Sequence, residues 1–197
     1  MSKKNIIGID LDGVIRDFNS MLTQLHNACL GIENVDKWVT PDFECEEYGL
    51  FSHESHYDLP ALNKVWKEHP LEIMLFAKPY KDYMWFLDTL LALKKPEDEM
   101  LFITHQYTED AKVATALWAK KYKLYNYGDI LFESGDEKWR HCNILIDDKI
   151  ENLTQLQLNV PDSIPICCAR AWNATIDRSI FRGGYAEILA HLQPKLR

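Results

Sequence analysis

Asn5-Ile6-Ile7-Gly8-Ile9-Asp10-Leu11-Asp12-Gly13-Val14 is the stretch on which the fold turns. Its apolar residues are consecutive rather than alternating, the pattern of a strand buried on both faces. The run ends in two carboxylates, Asp10 and Asp12, spaced two apart. Near a strand end, residues at that spacing can point the same way, so both can face one site. Gly13 lets the chain turn sharply behind them. Carboxylates held so close repel unless a cation or a shared proton relieves them. Mg²⁺ does this well, because it favours a few carboxylates together with substrate phosphate oxygens. Alone, the motif is equally consistent with a plain turn in which Asp12 caps a helix.

Four further apolar runs, at 100–104, 129–133, 143–146 and 165–169, read as strands of the same buried kind. Helical patterns lie between most of them. Residues 80–94 carry Met84, Leu87, Leu90 and Leu91 at helical spacing, and 109–123 carry Val113, Leu117 and Tyr122 on one side, with Thr108 as the cap. Residues 150–158 and 185–192 read likewise. Strands alternating with helices predict an α/β fold, a Rossmann-like parallel sheet with helices on both faces. Ligands of such sheets bind beyond the carboxyl ends of the strands. Residues 17–78 break the rhythm. They are rich in aromatic and polar residues (Phe18, Trp38, Phe43, Tyr48, Phe51, Tyr57, Trp66) and hold no convincing strand. The reading is a core of residues 1–16 and 79–197, with 17–78 as a small helical cap inserted after the first strand.

The carboxyl-end rule picks out three more places. Leu145-Ile146-Asp147-Asp148 puts a second acidic pair at the end of an apolar run. One Asp there would serve as a helix cap; two adjacent carboxylates are harder to explain so, and with Asp10 and Asp12 they point to a metal site. Thr104 ends another run, where a hydroxyl and neighbouring N–H groups suit phosphate oxygens. Lys138, in Glu133-Ser134-Gly135-Asp136-Glu137-Lys138, can offset phosphate charge. Singly, each has an ordinary reading: strand-end Thr and surface Lys are common.

Composition narrows the function classes. The 197 residues are 47% hydrophobic and carry a formal charge of −8, which argues against a basic surface for long nucleic acid. An acidic chain that handles phosphate must concentrate positive charge locally. Five cysteines without CxxC spacing, no signal-peptide pattern and no spanning apolar run predict a reduced, cytoplasmic protein away from membranes. His53 and His56 lack companions at ligand spacing, so they do not read as a zinc site. Cys167 and Cys168 read as packing residues. A homodimer is left open.

Together, Asp10-Leu11-Asp12-Gly13-Val14, Thr104, Lys138 and Asp147-Asp148 stand in the order of the four motifs of the haloacid dehalogenase-like (HAD) superfamily, which the chain resembles. The second Asp of the first motif marks phosphatases there and is lacking in dehalogenases. Within the superfamily the sequence is most similar to the 5′(3′)-deoxyribonucleotidases. The likeness is carried by Asp10-Leu11-Asp12-Gly13-Val14-Ile15-Arg16-Asp17-Phe18, Leu101-Phe102-Ile103-Thr104, Ile144-Leu145-Ile146-Asp147-Asp148-Lys149 and Arg170-Ala171-Trp172-Asn173. It implies Asp10 as nucleophile and Asp12 as acid and base. It implies Mg²⁺ on the Asp10 carboxylate, the Asp12 carbonyl and Asp148, with Asp147 the weaker candidate. Thr104, His105 and Lys138 would take the phosphate and Phe18 the base or sugar of a nucleoside monophosphate. Two departures bear on the substrate. His105 stands where a small hydroxyl residue is usual, and Ile73 and Met74 stand where an aromatic pair is expected. A sugar phosphate or another small metabolite is the rival substrate, and a non-catalytic binding protein of the same fold is the rival class.

Overall fold

The computed structural model describes residues 4–29, 59–174 and 179–196. Trp38, Phe43, Tyr48, Phe51, Tyr57, His53 and His56 lie outside the described residues, so the readings placed on them are not addressed. Among the described residues six parallel strands form one sheet: β1 (Ile6–Ile9), β2 (Glu99–Thr104), β3 (Asp129–Phe132), β4 (Ile144–Asp147), β5 (Ile164–Cys168) and β6 (Phe181–Gly183). Their order is β3-β2-β1-β4-β5-β6. The chain fills the sheet first to one side of β1 and then to the other. Loops leaving β1 and β4 therefore diverge, and a crevice opens between them at the carboxyl edge.

Among the described residues seven α-helices accompany the sheet: α1 (Phe18–Cys29), α2 (Leu59–Glu68), α3 (Pro70–Phe76), α4 (Tyr83–Leu93), α5 (Glu109–Lys121), α6 (Ile150–Asn159) and α7 (Tyr185–Leu196). Because side chains alternate along a strand, Ile7 and Ile9 pack with Phe86 of α4, Trp118 of α5 and Ile188 of α7. On the opposite face Ile103 and Leu145 pack with Leu153 and Leu156 of α6. Burial on both faces is why the inner strands β1, β2, β4 and β5 read as apolar runs. A third cluster, Leu22, Val65 and Ile73, joins α1, α2 and α3, with Phe18 and Trp66 against it.

The chain leaves the core for these three helices and comes back beside itself. Asp17 N–H donates to the Lys78 carbonyl at 2.8 Å, and Tyr80 N–H to the Ile15 carbonyl at 2.8 Å.

The structure departs from the sequence reading in three places. β6 is a strand that the pattern did not indicate. On α4 the buried side is Phe86, Leu87 and Leu90, while Met84 and Leu91 are exposed. On α5 the buried side is Ala111, Ala114, Thr115, Trp118 and Ala119, and Val113 and Leu117 face outward. The cause is α3, whose Met74 packs on Ala111 and Ala114: close approach of two helices selects small side chains, and large ones on the other side then imitate the core stripe. The cap assigned to Thr108 is present, its side chain accepting from Ala111 N–H.

These faces have a measurable consequence. Trp118 is fully buried and its indole N–H donates to the Ala77 carbonyl at 2.7 Å. Trp118→Ala should cost about 3–5 kcal/mol, whereas Leu117→Ala, one residue earlier, should stay within about 0.5 kcal/mol of wild type. Urea unfolding of the two variants checks this, and equal losses would mean the face is misassigned.

Candidate active site

Each candidate residue reaches the crevice from a different strand end. Asp10 follows β1, Thr104 closes β2, Lys138 sits in the 3-10 turn Gly135–Arg140 after β3, and Asp147 and Asp148 end β4. Asp10, Asp12, Phe18, Thr104, His105, Lys138 and Asp148 all border one cavity of about 180 Å³. Asp147 lies directly beneath, fully buried.

Lys138 is the hub. Its ammonium contacts Asp10 Oδ1 at 2.9 Å and Asp147 Oδ2 at 2.8 Å, with only 2% of the residue exposed. Burial alone would discharge this amine, but the two carboxylates outweigh that cost and hold its pKa above the ordinary lysine value. Asp147 is further fixed by Asn152 Nδ2 (2.9 Å) and by the backbone N–H of Lys149 (2.9 Å). Its oxygens are thus occupied by protein donors.

Asp148 is held differently. Trp172 Nε1 donates to its Oδ2 at 2.8 Å, and Asn173 Nδ2 donates to its carbonyl at 2.9 Å. Gly13, at φ 78°, lies so close that a Cβ there would overlap the Asp148 carboxylate. This contact and the positive φ both require glycine. Arg170 anchors the same turn by donating to the Gly13 and Val14 carbonyls.

Among the described residues, Asp10, Asp147 and Asp148 bring carboxylate oxygens within 4.8 Å of one another. The crowding shows in their chemistry. Burial, opposed by Lys138 and reinforced by Asp147, Asp148 and Asp12, raises the Asp10 pKa well above the usual carboxylate range. Burial and then Asp147 push Asp148 up to about 7, against the opposing Trp172 hydrogen bond. A divalent cation would relieve this repulsion, and hard carboxylate oxygens on a rigid sheet edge are the donors Mg²⁺ takes. The residues present therefore fit that ion.

Asp12 stands apart from this cluster. Its carboxylate is gripped by Arg16, with Nε to Oδ1 at 2.6 Å and Nη2 to Oδ2 at 3.0 Å, and by Gln106 Nε2 to Oδ2 at 2.9 Å. Thr104 Oγ1 accepts from the same Gln106 amide at 3.2 Å.

At the mouth, His105 packs against Tyr107 with ring centroids 4.4 Å apart. Burial and then Lys138 and Lys149 lower the His105 pKa, which favours a neutral imidazole. Phe18 meets Trp66 edge-on at 5.1 Å. Ile73 and Met74, the positions expected to be aromatic, are both buried in helix packing rather than along the cavity.

Sequence reasoning gave no role to Arg16, Gln106, Asn152, Trp172 or Asn173. Arg16 and the Arg170-Ala171-Trp172-Asn173 segment were in the quoted motifs, and that was their only signal. Gln106 and Asn152 had none: Gln106 acts on a carboxylate far away in the chain, and Asn152, though close to Asp147 in sequence, reaches it only once β4 and α6 are folded against each other.

No family model matches the sequence, and no curated protein matches it. Solved structures do share the fold. A HAD-superfamily hydrolase of subfamily IA from Geobacter sulfurreducens superposes with a TM-score of 0.54 at 12% identity, covering 96% of each chain. A Bacillus subtilis chain described as a HAD-hydrolase and bound to magnesium gives 0.53 at 11% identity, covering 98% of this chain and 99% of its own. L-2-haloacid dehalogenase from Xanthobacter autotrophicus gives 0.54 at 10% identity, covering 99% and 100%. At such identities the likeness is one of fold. No helix among the described residues is long and apolar enough to cross a membrane.

Proposed function

We propose that this chain, which has the fold of the HAD hydrolases, is a Mg²⁺-dependent phosphatase that hydrolyses small phosphomonoesters through an aspartyl-phosphate. The observation carrying the reading is the gathering of Asp10, Asp12, Thr104, Lys138 and Asp148 around one cavity at the carboxyl edge of the sheet. The fold is shared with a dehalogenase, so the fold does not choose the reaction; Asp12 does, because a dehalogenase has no leaving oxygen to protonate.

Bound Mg²⁺, held by Asp10, Asp148 and the Asp12 carbonyl, would offset the negative charge of the site and of the ester and polarise the phosphoryl oxygens. Asp147 is the poorer ligand, since Lys138, Asn152 and the Lys149 N–H already engage its oxygens. Lys138 keeps Asp10 in place and, with Thr104 and His105, grips the phosphoryl oxygens. A carboxylate oxygen of Asp10 forms a bond to phosphorus as the ester P–O bond breaks, and Asp12 gives its proton to the leaving oxygen. Asp12 then takes a proton from water as that water attacks the aspartyl-phosphate, releasing inorganic phosphate and restoring Asp10.

Residues 17–78 act in this reading as the cap, with Phe18 at the cavity. The favoured substrates are nucleoside monophosphates, deoxyribonucleotides first, because the rings of Phe18, His105 and Tyr107 cluster at the cavity and offer faces for a base. The protein is proposed to work in the cytoplasm, where such substrates and Mg²⁺ are found.

A phosphate-release screen over nucleoside 5′- and 3′-monophosphates and sugar phosphates, with Mg²⁺ present, tests the reading. Release only from sugar phosphates would move the substrate class, and release from none would make the chain a binding protein. With an active substrate, EDTA should abolish turnover and added Mg²⁺ should restore it. Hydrolysis that persists in EDTA contradicts the mechanism.

A further inference from the structure

Among the described residues, Arg16 is the largest charged side chain wholly inside the molecule, with no exposed surface. Burying a guanidinium is costly unless every N–H finds an acceptor. Here the count closes. Nε donates to Asp12 Oδ1, Nη2 to Asp12 Oδ2 and to Thr115 Oγ1, and Nη1 to Thr115 Oγ1 and the Met74 carbonyl. The Trp118 ring lies beneath it, 5.0 Å from the guanidinium carbon. A group fixed on so many sides cannot turn.

Gln106 is committed to the same carboxylate. Its amide donates to Asp12 Oδ2 and Thr104 Oγ1, while its own Oε1 is buried without a partner among the described residues. Turning the amide over would set that oxygen against the Asp12 carboxylate, so the donor orientation is enforced at the cost of an unpaired carbonyl.

A carboxylate offers about four lone-pair positions. Arg16 takes one on each oxygen and Gln106 takes a second on Oδ2. Among the described residues one position is left, on Oδ1, while Asp12 itself borders the cavity and Arg16 is buried behind it. We propose that Arg16 and Gln106 are positioning residues that leave Asp12 a single site, on Oδ1, through which its proton is exchanged with the leaving oxygen and later with water. The proposal rests on the phosphatase reading above. In the first step the Asp10–phosphorus bond forms, the ester P–O bond breaks, and the Oδ1 proton moves to the departing oxygen. Fixing that site matters in proportion to how much the leaving oxygen needs a proton.

Leaving-group dependence separates this from a structural ion pair. 4-Nitrophenolate departs without a proton at neutral pH, whereas the alkoxide of benzyl phosphate does not, and the two esters are similar in size. With phosphorylation of Asp10 as the first irreversible step, kcat/KM reports the path up to and including it and none of the later hydrolysis. Arg16→Met should lower kcat/KM for benzyl phosphate by about 100-fold and for 4-nitrophenyl phosphate by less than about tenfold. Arg16→Lys keeps the charge but cannot fork across two oxygens, and Gln106→Leu removes one donor; both should shift the ratio in the same direction by less. In an Asp12→Asn background, Arg16→Met should have no further effect on either ester.

Equal losses on both esters, a relative gain for benzyl phosphate, or an undiminished Arg16 effect without Asp12 would overturn the proposal. If Arg16→Met does not fold, Arg16→Lys and Gln106→Leu decide it by the same ratio. Failure of the wild type to hydrolyse either ester, in the presence of Mg²⁺, would instead remove the phosphatase reading itself.

Discussion

Asp10→Asn should lower turnover by about 10⁴- to 10⁶-fold and leave the fold intact. The amide keeps the volume of the carboxyl and can still accept from Lys138 at the Oδ1 position, 2.9 Å away. What it loses is the anionic oxygen that forms the bond to phosphorus. The substitution also takes one charge out of a buried cluster in which Asp10, Asp147 and Asp148 lie within 4.8 Å. Without added metal the variant should therefore melt at the same temperature as wild type or higher. Phosphate release and thermal melting, measured side by side, check both halves. Turnover near the wild-type rate in a folded Asp10→Asn protein would take the nucleophile away from this residue.

Lys138→Met should fail in both respects. Lys138 is the sole cation bonded to Asp10 and Asp147 among the described residues. Deleting one partner of a buried ion pair leaves the other charges uncompensated, at about 3–5 kcal/mol. It also removes a donor from the phosphoryl group, for about 10²- to 10³-fold in kcat. Because a divalent cation can take over part of the lost compensation, Mg²⁺ should raise the stability of Lys138→Met by more than it raises that of wild type. Urea titrations with and without Mg²⁺ measure the difference. Stability within about 0.5 kcal/mol of wild type would mean that the buried pairs carry little weight here.

β1, β2, β4 and β5 were readable because they are covered on both sides, and β3, a partly buried edge strand, because Ile130-Leu131-Phe132 are still consecutive apolar residues; the runs 5–9, 100–104, 129–133, 143–146 and 165–169 differ from the observed bounds by one residue at most. β6 was not, since Phe181-Arg182-Gly183 is three residues at the sheet edge with a charged centre, and its register is fixed by β5 rather than by its own pattern. The α5 stripe was misread for a physical reason: ranking by bulk finds the core side only where neighbours stand at ordinary distance, and α3 comes close enough to demand alanine.

The site was legible as far as strand ends could carry it. Asp10, Thr104 and the segment that carries Lys138 and Asp147-Asp148 are far apart in the chain, and the sheet order makes them neighbours. The sequence could not divide the labour between Asp147 and Asp148, because that depends on donors arriving from the 3-10 turn, α6 and the segment after β5. Arg16 was hidden by its own chemistry. Arginine is exposed by default, and nothing local announces that Thr115 and Met74 will come to meet it.

The pairing of Asp17 with Lys78 and of Tyr80 with Ile15 has a consequence for how such a protein can diverge. Departure and return of the intervening chain are spliced together at the rim of the sheet, so the strands on either side keep their register whatever lies between. On the phosphatase reading proposed above, the residues between them form an exchangeable cassette, whose contents can be rewritten to admit a different ester while the carboxylates proposed to react stay where they are. Arg16 stands at the splice, and its bond to the Met74 carbonyl ties that point of the cassette's backbone to the core.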